Sequence, residues 1–214
     1  MYENDRLKEE LLANISDLFL TYGLRSTSMD DICTHLKISK KTLYQIFENK
    51  DHVVEQVMFY RLEKIRKETN EESISKKNPV RFLYSIKKHI IEDLNSRLPA
   101  NYFDVKKYHP EVDKRIREAE RKFIYSILSS VLRQGVEQGF FRKEADMEVQ
   151  MYLFEKQMSF LKEQEMLNEI EYPKIVLVST IVDNFILSIS TVEGVAVFDE
   201  IIKNEKTKRK SDEK

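Results

Sequence analysis

Lys40, Lys41, Thr42, Tyr44 and Gln45 stand within six positions of one another and are the donor-rich side chains that reach phosphate oxygens and base edges. Their neighbours point the other way. Leu43 and Phe47 form an i, i+4 apolar pair with Ile46 beside them, and that face of a helix must turn inward, leaving the donors outside. Gln45 carries an amide fork suited to a bidentate bond with adenine, worth about 1–3 kcal/mol of discrimination where it forms. Between positions 37 and 50 the charges are Lys37, Lys40, Lys41 and Lys50 against Glu48 alone. In a chain with 36 Lys+Arg and 37 Asp+Glu, that local excess marks a docking place for a polyanion.

Two elements must hold those side chains in place. Ser39 is a good N-cap for a helix starting at Lys40. Just before it, Met29, Ile32, Cys33 and Leu36 fall at i, i+3, i+4, i+7, which predicts a short amphipathic helix capped by Thr27 or Ser28. Asp30 and Asp31 then lie in its first turn, where the helix dipole favours carboxylates. So short a break between the two helices forces a sharp angle, and Thr27 to Asp51 reads as a helix-turn-helix whose second helix enters DNA. Leu11, Ile15, Leu18 and Phe19 make a further helical stripe, with Gly23 placed for a left-handed cap. That first helix is scaffold.

The segment from about Leu11 to Val57 resembles the N-terminal DNA-binding domain of TetR-family transcriptional regulators. The runs LLANISDLFLTYGLRSTSMDDI and ISKKTLYQIFENKDHVVEQV carry the likeness, the second close to the family's Ser-Lys-x-Thr-Leu-Tyr-x-x-Phe run followed by a Lys and a fourth helix. The resemblance implies that Thr27 and Ser28 lie where a hydroxyl or backbone N–H binds phosphate. It places Ser39, Lys40, Lys41, Thr42, Tyr44 and Gln45 on the recognition helix, and Lys50 against the backbone at the start of helix four. Lys41 departs from the small residue usual in the family, and Gln45 stands where His is common, which points to a different operator sequence. The family also implies a homodimer on a near-palindromic double-stranded operator, acting as a ligand-responsive repressor.

The remainder of the chain reads as helical. Four glycines, four prolines and no Asn-Gly or Asp-Gly hairpin signal argue against a sheet. We therefore expect an all-α protein: a three-helix DNA-binding domain at 1–52, joined by a long fourth helix to a helical ligand-binding and dimerisation domain at 53–203. A charged tail at 204–214 lacks apolar spacing and is expected to be disordered. Helices are expected over about 51–69, 79–95, 111–134, 147–167 and 173–190, with a weaker one at 195–203 and a short segment bracketed by Pro99 and Pro110.

Phe82, Ile86, His89, Tyr102, Phe103, Phe123, Ile127, Met151, Phe154 and Met158 would line an apolar pocket for a lipophilic or aromatic effector. Ordinary core packing would account for the same residues. Helix 173–190 is apolar on more than one face, and the family's four-helix dimer bundle implies an interface drawn from Ile175, Val178, Val182, Phe185 and Ile189.

Enzymatic function is not expected. There is no G-x-G-x-x-G, P-loop, H-E-x-x-H or C-x-x-C pattern, and His35, His52, His89 and His109 lack ligand spacing, so neither metal nor cofactor is called for. Cys33, the single cysteine, lies on a buried stripe and fits a reducing cytoplasm. The start MYENDRLKEE has no signal-peptide pattern, and the stretch from Ile175 to Ser190 is too short and polar to span a bilayer, so we expect a cytoplasmic protein without membrane contact. An adaptor that binds a protein through its C-terminal half, or an activator, shares the same N-terminal signature.

Overall fold

A computed structural model describes residues 2–69, 74, 77–96, 98–161 and 172–212. Ten helices are present among them: α1 (Tyr2–Tyr22), α2 (Met29–Leu36), α3 (Lys40–Ile46), α4 (Lys50–Glu68), α5 (Pro79–Leu94), α6 (Leu98–Tyr108), α7 (Pro110–Glu137), α8 (Met147–Phe160), α9 (Lys174–Ile189) and α10 (Val192–Asp212). The described residues hold no strand, and Phe141 and Ser190 form an isolated antiparallel bridge. The fold is all-α, as the periodicity predicts, and no described helix is long and apolar enough to cross a membrane.

The chain divides into two compact units: Met1–Glu68 with Asp93–Phe123, and Thr69–Glu92 with Ile124–Lys214. The expected boundary at 52/53 therefore falls inside α4, and α6 with the first half of α7 joins the N-terminal unit. The reason is packing. Leu12, Ile15, Phe19, Ile32, Leu43, Phe47, Val53 and Val57 share one apolar core with Val105, Val112 and Ile116, residues some fifty or more positions further on. Asn101, buried on α6, accepts the Leu24 N–H at 3.0 Å and donates to the Phe19 carbonyl at 3.1 Å, which also accepts the Gly23 N–H at 3.0 Å where α1 ends.

In the second unit, α8 packs on α9 through stacked Phe154 and Phe185 rings, 4.5 Å between centroids. Val178, Val182, Phe185 and Ile189, expected at a dimer interface, are 1, 2, 5 and 0 % exposed within the single chain. They fill its own core, and of that set only Ile175 is exposed. Apolar side chains that do reach solvent on these helices are Val149, Tyr152 and Leu153 of α8 and Ile175, Val176 and Leu187 of α9.

The tail expectation is also corrected. Instead of a weak helix ending at Lys203, α10 continues to Asp212, because Phe198 and Ile201 are buried and Glu205 is held by the Tyr84 hydroxyl (2.5 Å) and Lys88 (2.8 Å). Helix α8 is described only to Phe160; the expected continuation to 167 lies partly outside the described residues, as do 213–214.

Candidate nucleic-acid interface

Helix α2 begins at a reciprocal cap. The Ser28 hydroxyl accepts the Asp31 N–H at 3.1 Å, and the Asp31 carboxylate accepts the Ser28 N–H at 2.8 Å and its hydroxyl at 2.6 Å. Those bonds, the side-chain one foremost, hold the Asp31 carboxyl below the usual carboxylate range. The helix ends at Lys37, which takes the left-handed conformation (φ 54°) so that Ile38 can turn toward α3. Lys37 is thus a backbone corner, reached without glycine.

Ser39 caps α3 by accepting the Thr42 N–H at 3.0 Å, and its hydroxyl lies 2.8 Å from that of Thr42. Leu43 and Phe47 are fully buried, as the i, i+4 pairing requires, while Lys40, Lys41, Tyr44 and Gln45 are exposed and Thr42 is half-buried. Asn49 then caps α4, its side-chain carbonyl accepting the His52 N–H at 2.9 Å.

Two expected phosphate contacts have neighbours that residue spacing does not reveal. Thr27 is 2 % exposed, and its hydroxyl donates to the Gly23 carbonyl at 2.8 Å, so this side chain locks the turn after α1 and does not face outward. Lys50 is half-buried and its ammonium lies 3.4 Å from the Arg25 carbonyl. Burial lowers its pKa, against the pull of Asp104, Asp31 and Asp51.

One contact on this surface is not visible in the residue spacing. Lys40 Nζ lies 2.8 Å from the Asp30 carboxylate across the turn, with both side chains 64 % exposed. The hydrogen bond to Asp30 holds the Lys40 ammonium above its ordinary pKa. In the sequence Asp30 reads only as an acid favoured by the helix dipole.

Behind the interface, α4 is tied to His109, the residue just before α7, from Asp51 at 2.8 Å, and to Arg115 of α7 from Glu55 at 2.6 Å. Between them opens a polar groove of about 420 Å³, lined by Glu48, Asn49, Asp51, His52, Glu55, His109, Pro110, Glu111, Val112 and Arg115. None of the ten residues expected to line an effector pocket borders it. Those ten do not form one set: Tyr102, Phe103 and Phe123 belong to the first unit, the other seven to the second. The Tyr102 hydroxyl donates to Glu120 at 2.6 Å, Phe103 is exposed, and Phe123 carries the Arg66 guanidinium 5.3 Å from its ring centre. His89 is exposed beside Glu92, whereas Phe82, Ile127, Met151 and Phe154 are buried and Ile86 and Met158 half-buried. No group of three His, Cys, Asp or Glu among the described residues is placed to hold a metal ion.

Residues 11–57 match the family described as bacterial regulatory proteins, tetR family. No curated protein matches the sequence. Similar solved structures include a TetR-family transcriptional regulator from Cytophaga hutchinsonii (17 % identity, TM-score 0.64, covering 89 % of this chain and 98 % of that one). The regulator FadR from Bacillus subtilis, in complex with stearoyl-CoA, aligns at 16 % identity and TM-score 0.59 over 82 % of this chain and 95 % of its own. A protein from Saccharomonospora viridis assigned as a transcriptional regulator, in complex with choline, aligns at 13 % identity and TM-score 0.66 over 87 % and 99 %. At these identities the likeness establishes the fold.

Proposed function

We propose, on the match of residues 11–57 to the bacterial regulatory proteins of the tetR family, that the chain is a homodimeric, ligand-responsive repressor of a near-palindromic operator. The observation that carries this reading is the outer face of α3. It presents Lys40, Lys41, Tyr44 and Gln45 to solvent while Leu43 and Phe47 anchor the helix in the core. One such helix spans too few base pairs for useful specificity, and a two-fold pair reads two half-sites about 34–36 Å apart, or a multiple of that distance.

The dimer surface we assign to the exposed apolar residues of α8 and α9, namely Val149, Tyr152, Leu153, Ile175, Val176 and Leu187. A two-fold contact between such helix pairs makes a four-helix bundle from self-complementary surfaces. For the effector we keep a small molecule with a large apolar part, seated among Phe82, Ile86, Ile127, Met151, Phe154 and Met158 of the second unit. Relatives of this fold were solved with stearoyl-CoA and with choline. Such an effector regulates only by binding the operator-competent and operator-incompetent states with different affinity.

The test is selection of bound sequences from a random duplex library with the full chain at two salt concentrations. A symmetric motif with two spaced half-sites is expected. Salt-sensitive binding without any motif would overturn the operator reading and favour an adaptor, whose C-terminal half engages a protein.

A further inference from the structure

We infer that Asp30 and Lys40 act together as a reader of one G·C base pair in each half-site, Lys40 donating to guanine and Asp30 accepting from the paired cytosine. This inference rests on the operator reading above and assigns a specificity role to a residue of α2.

The argument starts from the geometry of the pair. An ammonium and a carboxylate stand 2.8 Å apart, one from α3 and one from α2, at the outer edge of the helix-turn-helix. Each is 64 % exposed, so neither is held there by burial. Ion pairs this exposed contribute little to stability, and the helix dipole, which favours an acid in the first turn of α2, does not select what that acid faces. The neighbouring acid is accounted for: Asp31 is consumed by its reciprocal bonds with Ser28. Asp30 is turned instead toward the recognition helix.

A carboxylate on this surface is repelled by the phosphate backbone and is tolerated only where it meets a donor. In the major groove those donors are the exocyclic amines of cytosine and adenine. Guanine O6 and cytosine N4 lie side by side at about 2.9 Å, the length of the hydrogen bond between them. An ammonium beside a carboxylate at 2.8 Å is the matching donor–acceptor pair. The alternative match, with thymine O4 under the lysine and adenine N6 under the aspartate, offers the ammonium a single acceptor flanked by a methyl group. Guanine offers O6 and N7 together, which selects G·C and fixes its orientation. The ion pair also keeps each side chain in place before DNA arrives, so less freedom is lost on binding.

The experiment is the same duplex selection, run on the wild-type chain, Asp30→Asn, Lys40→Met and Lys41→Met, with circular dichroism to verify that each variant folds. The wild-type motif should contain one oriented G·C pair per half-site at which both Asp30→Asn and Lys40→Met lose about tenfold or more of the base preference, the rest of the motif persisting. Lys41→Met should leave that position intact. A motif unchanged in both variants overturns the inference. In that event Asp30→Asn should raise affinity for every duplex and steepen the salt dependence, the behaviour of a carboxylate that only opposes phosphates. A shared loss at any other base pair overturns it equally. If the wild-type chain yields no motif, the operator reading itself fails; a motif without the predicted loss fails the base-pair reading alone.

Discussion

Asn101 and Leu24, 77 positions apart, are joined by a buried hydrogen bond of 3.0 Å that fastens α6 to the turn after α1. The same amide donates to Phe19, so one side chain closes two backbone groups inside the N-terminal unit. Replacing Asn101 by Leu leaves the buried Leu24 N–H without that partner, at about 1–3 kcal/mol, while the Phe19 carbonyl keeps its bond from the Gly23 N–H at 3.0 Å. Amide exchange across residues 11–57 should accelerate accordingly in the variant. Unchanged protection would mean that the α1 end is stabilised by its apolar packing alone.

The cap at the start of α2 gives this unit a pH dependence whose sign follows from Asp31. Its folded pKa lies below the ordinary carboxyl value, so its stabilising contribution is fully present above that ordinary value and is lost as pH falls through the lowered one. Asp31→Asn should therefore cost stability at neutral pH and cost progressively less in the acid range. Ser28→Ala, which removes the other half of the cap, should cost about 1 kcal/mol at neutral pH. Thermal melts of the wild type and Asp31→Asn at a series of pH values measure the convergence; parallel curves would remove the cap as its source.

Lys50 is half-buried against the Arg25 carbonyl, and its charge sits at the start of α4. Lys50→Ala should weaken binding to all DNA sequences alike and lower the slope of log affinity against log salt by about one. A change in base preference without a change in slope would instead make it a base contact.

Lys87 and Asp183 form an ion pair of 2.7 Å with side chains 7 % and 27 % exposed, and the Lys87 ammonium also lies 4.0 Å from the centre of the Tyr84 ring. Removing Asp183 strands the buried Lys87 ammonium. Asp183→Leu should cost about 3–5 kcal/mol, whereas Lys87→Met with Asp183→Leu should recover most of the loss. Urea denaturation of the two variants decides it. Equal destabilisation by single and double replacement would show that the pair is not the source.

Gly135 lies in α7, where alanine would ordinarily stabilise a helix by about 1 kcal/mol. Here the added methyl carbon would stand 1.9 Å from the ring of Phe141, which is fully buried and cannot swing aside. The sign should reverse, with Gly135→Ala destabilising by about 1–3 kcal/mol. A variant melting above the wild type would show that the Phe141 ring gives way.

The helix-turn-helix was legible in the sequence because nearly everything that shapes it acts over a few residues. The Ser28 and Ser39 caps, the apolar stripe of α2, the Leu43–Phe47 pair and the outward donors of α3 each link successive residues four positions apart or fewer, within reach of helical periodicity. The place of the Thr27 hydroxyl was not legible because a hydroxyl at a helix start reads the same whether it faces outward or bonds to Gly23. The Asp30–Lys40 pair was hidden since the angle of the turn, and not spacing along either helix, brings two exposed side chains together.

What the sequence determined by itself is the helices other than α6 and the far end of α10, their apolar faces and the basic, donor-rich surface of α3. Periodicity says which face of a helix is buried; it does not say what buries it. Only the tertiary structure decided that α6 joins the DNA-binding unit through Asn101, that Val178, Val182, Phe185 and Ile189 fill the chain's own core, and that Glu205 holds α10 in place beyond Lys203. Each of those outcomes depends on partners many positions away in the chain, and a local pattern carries no information about a distant partner.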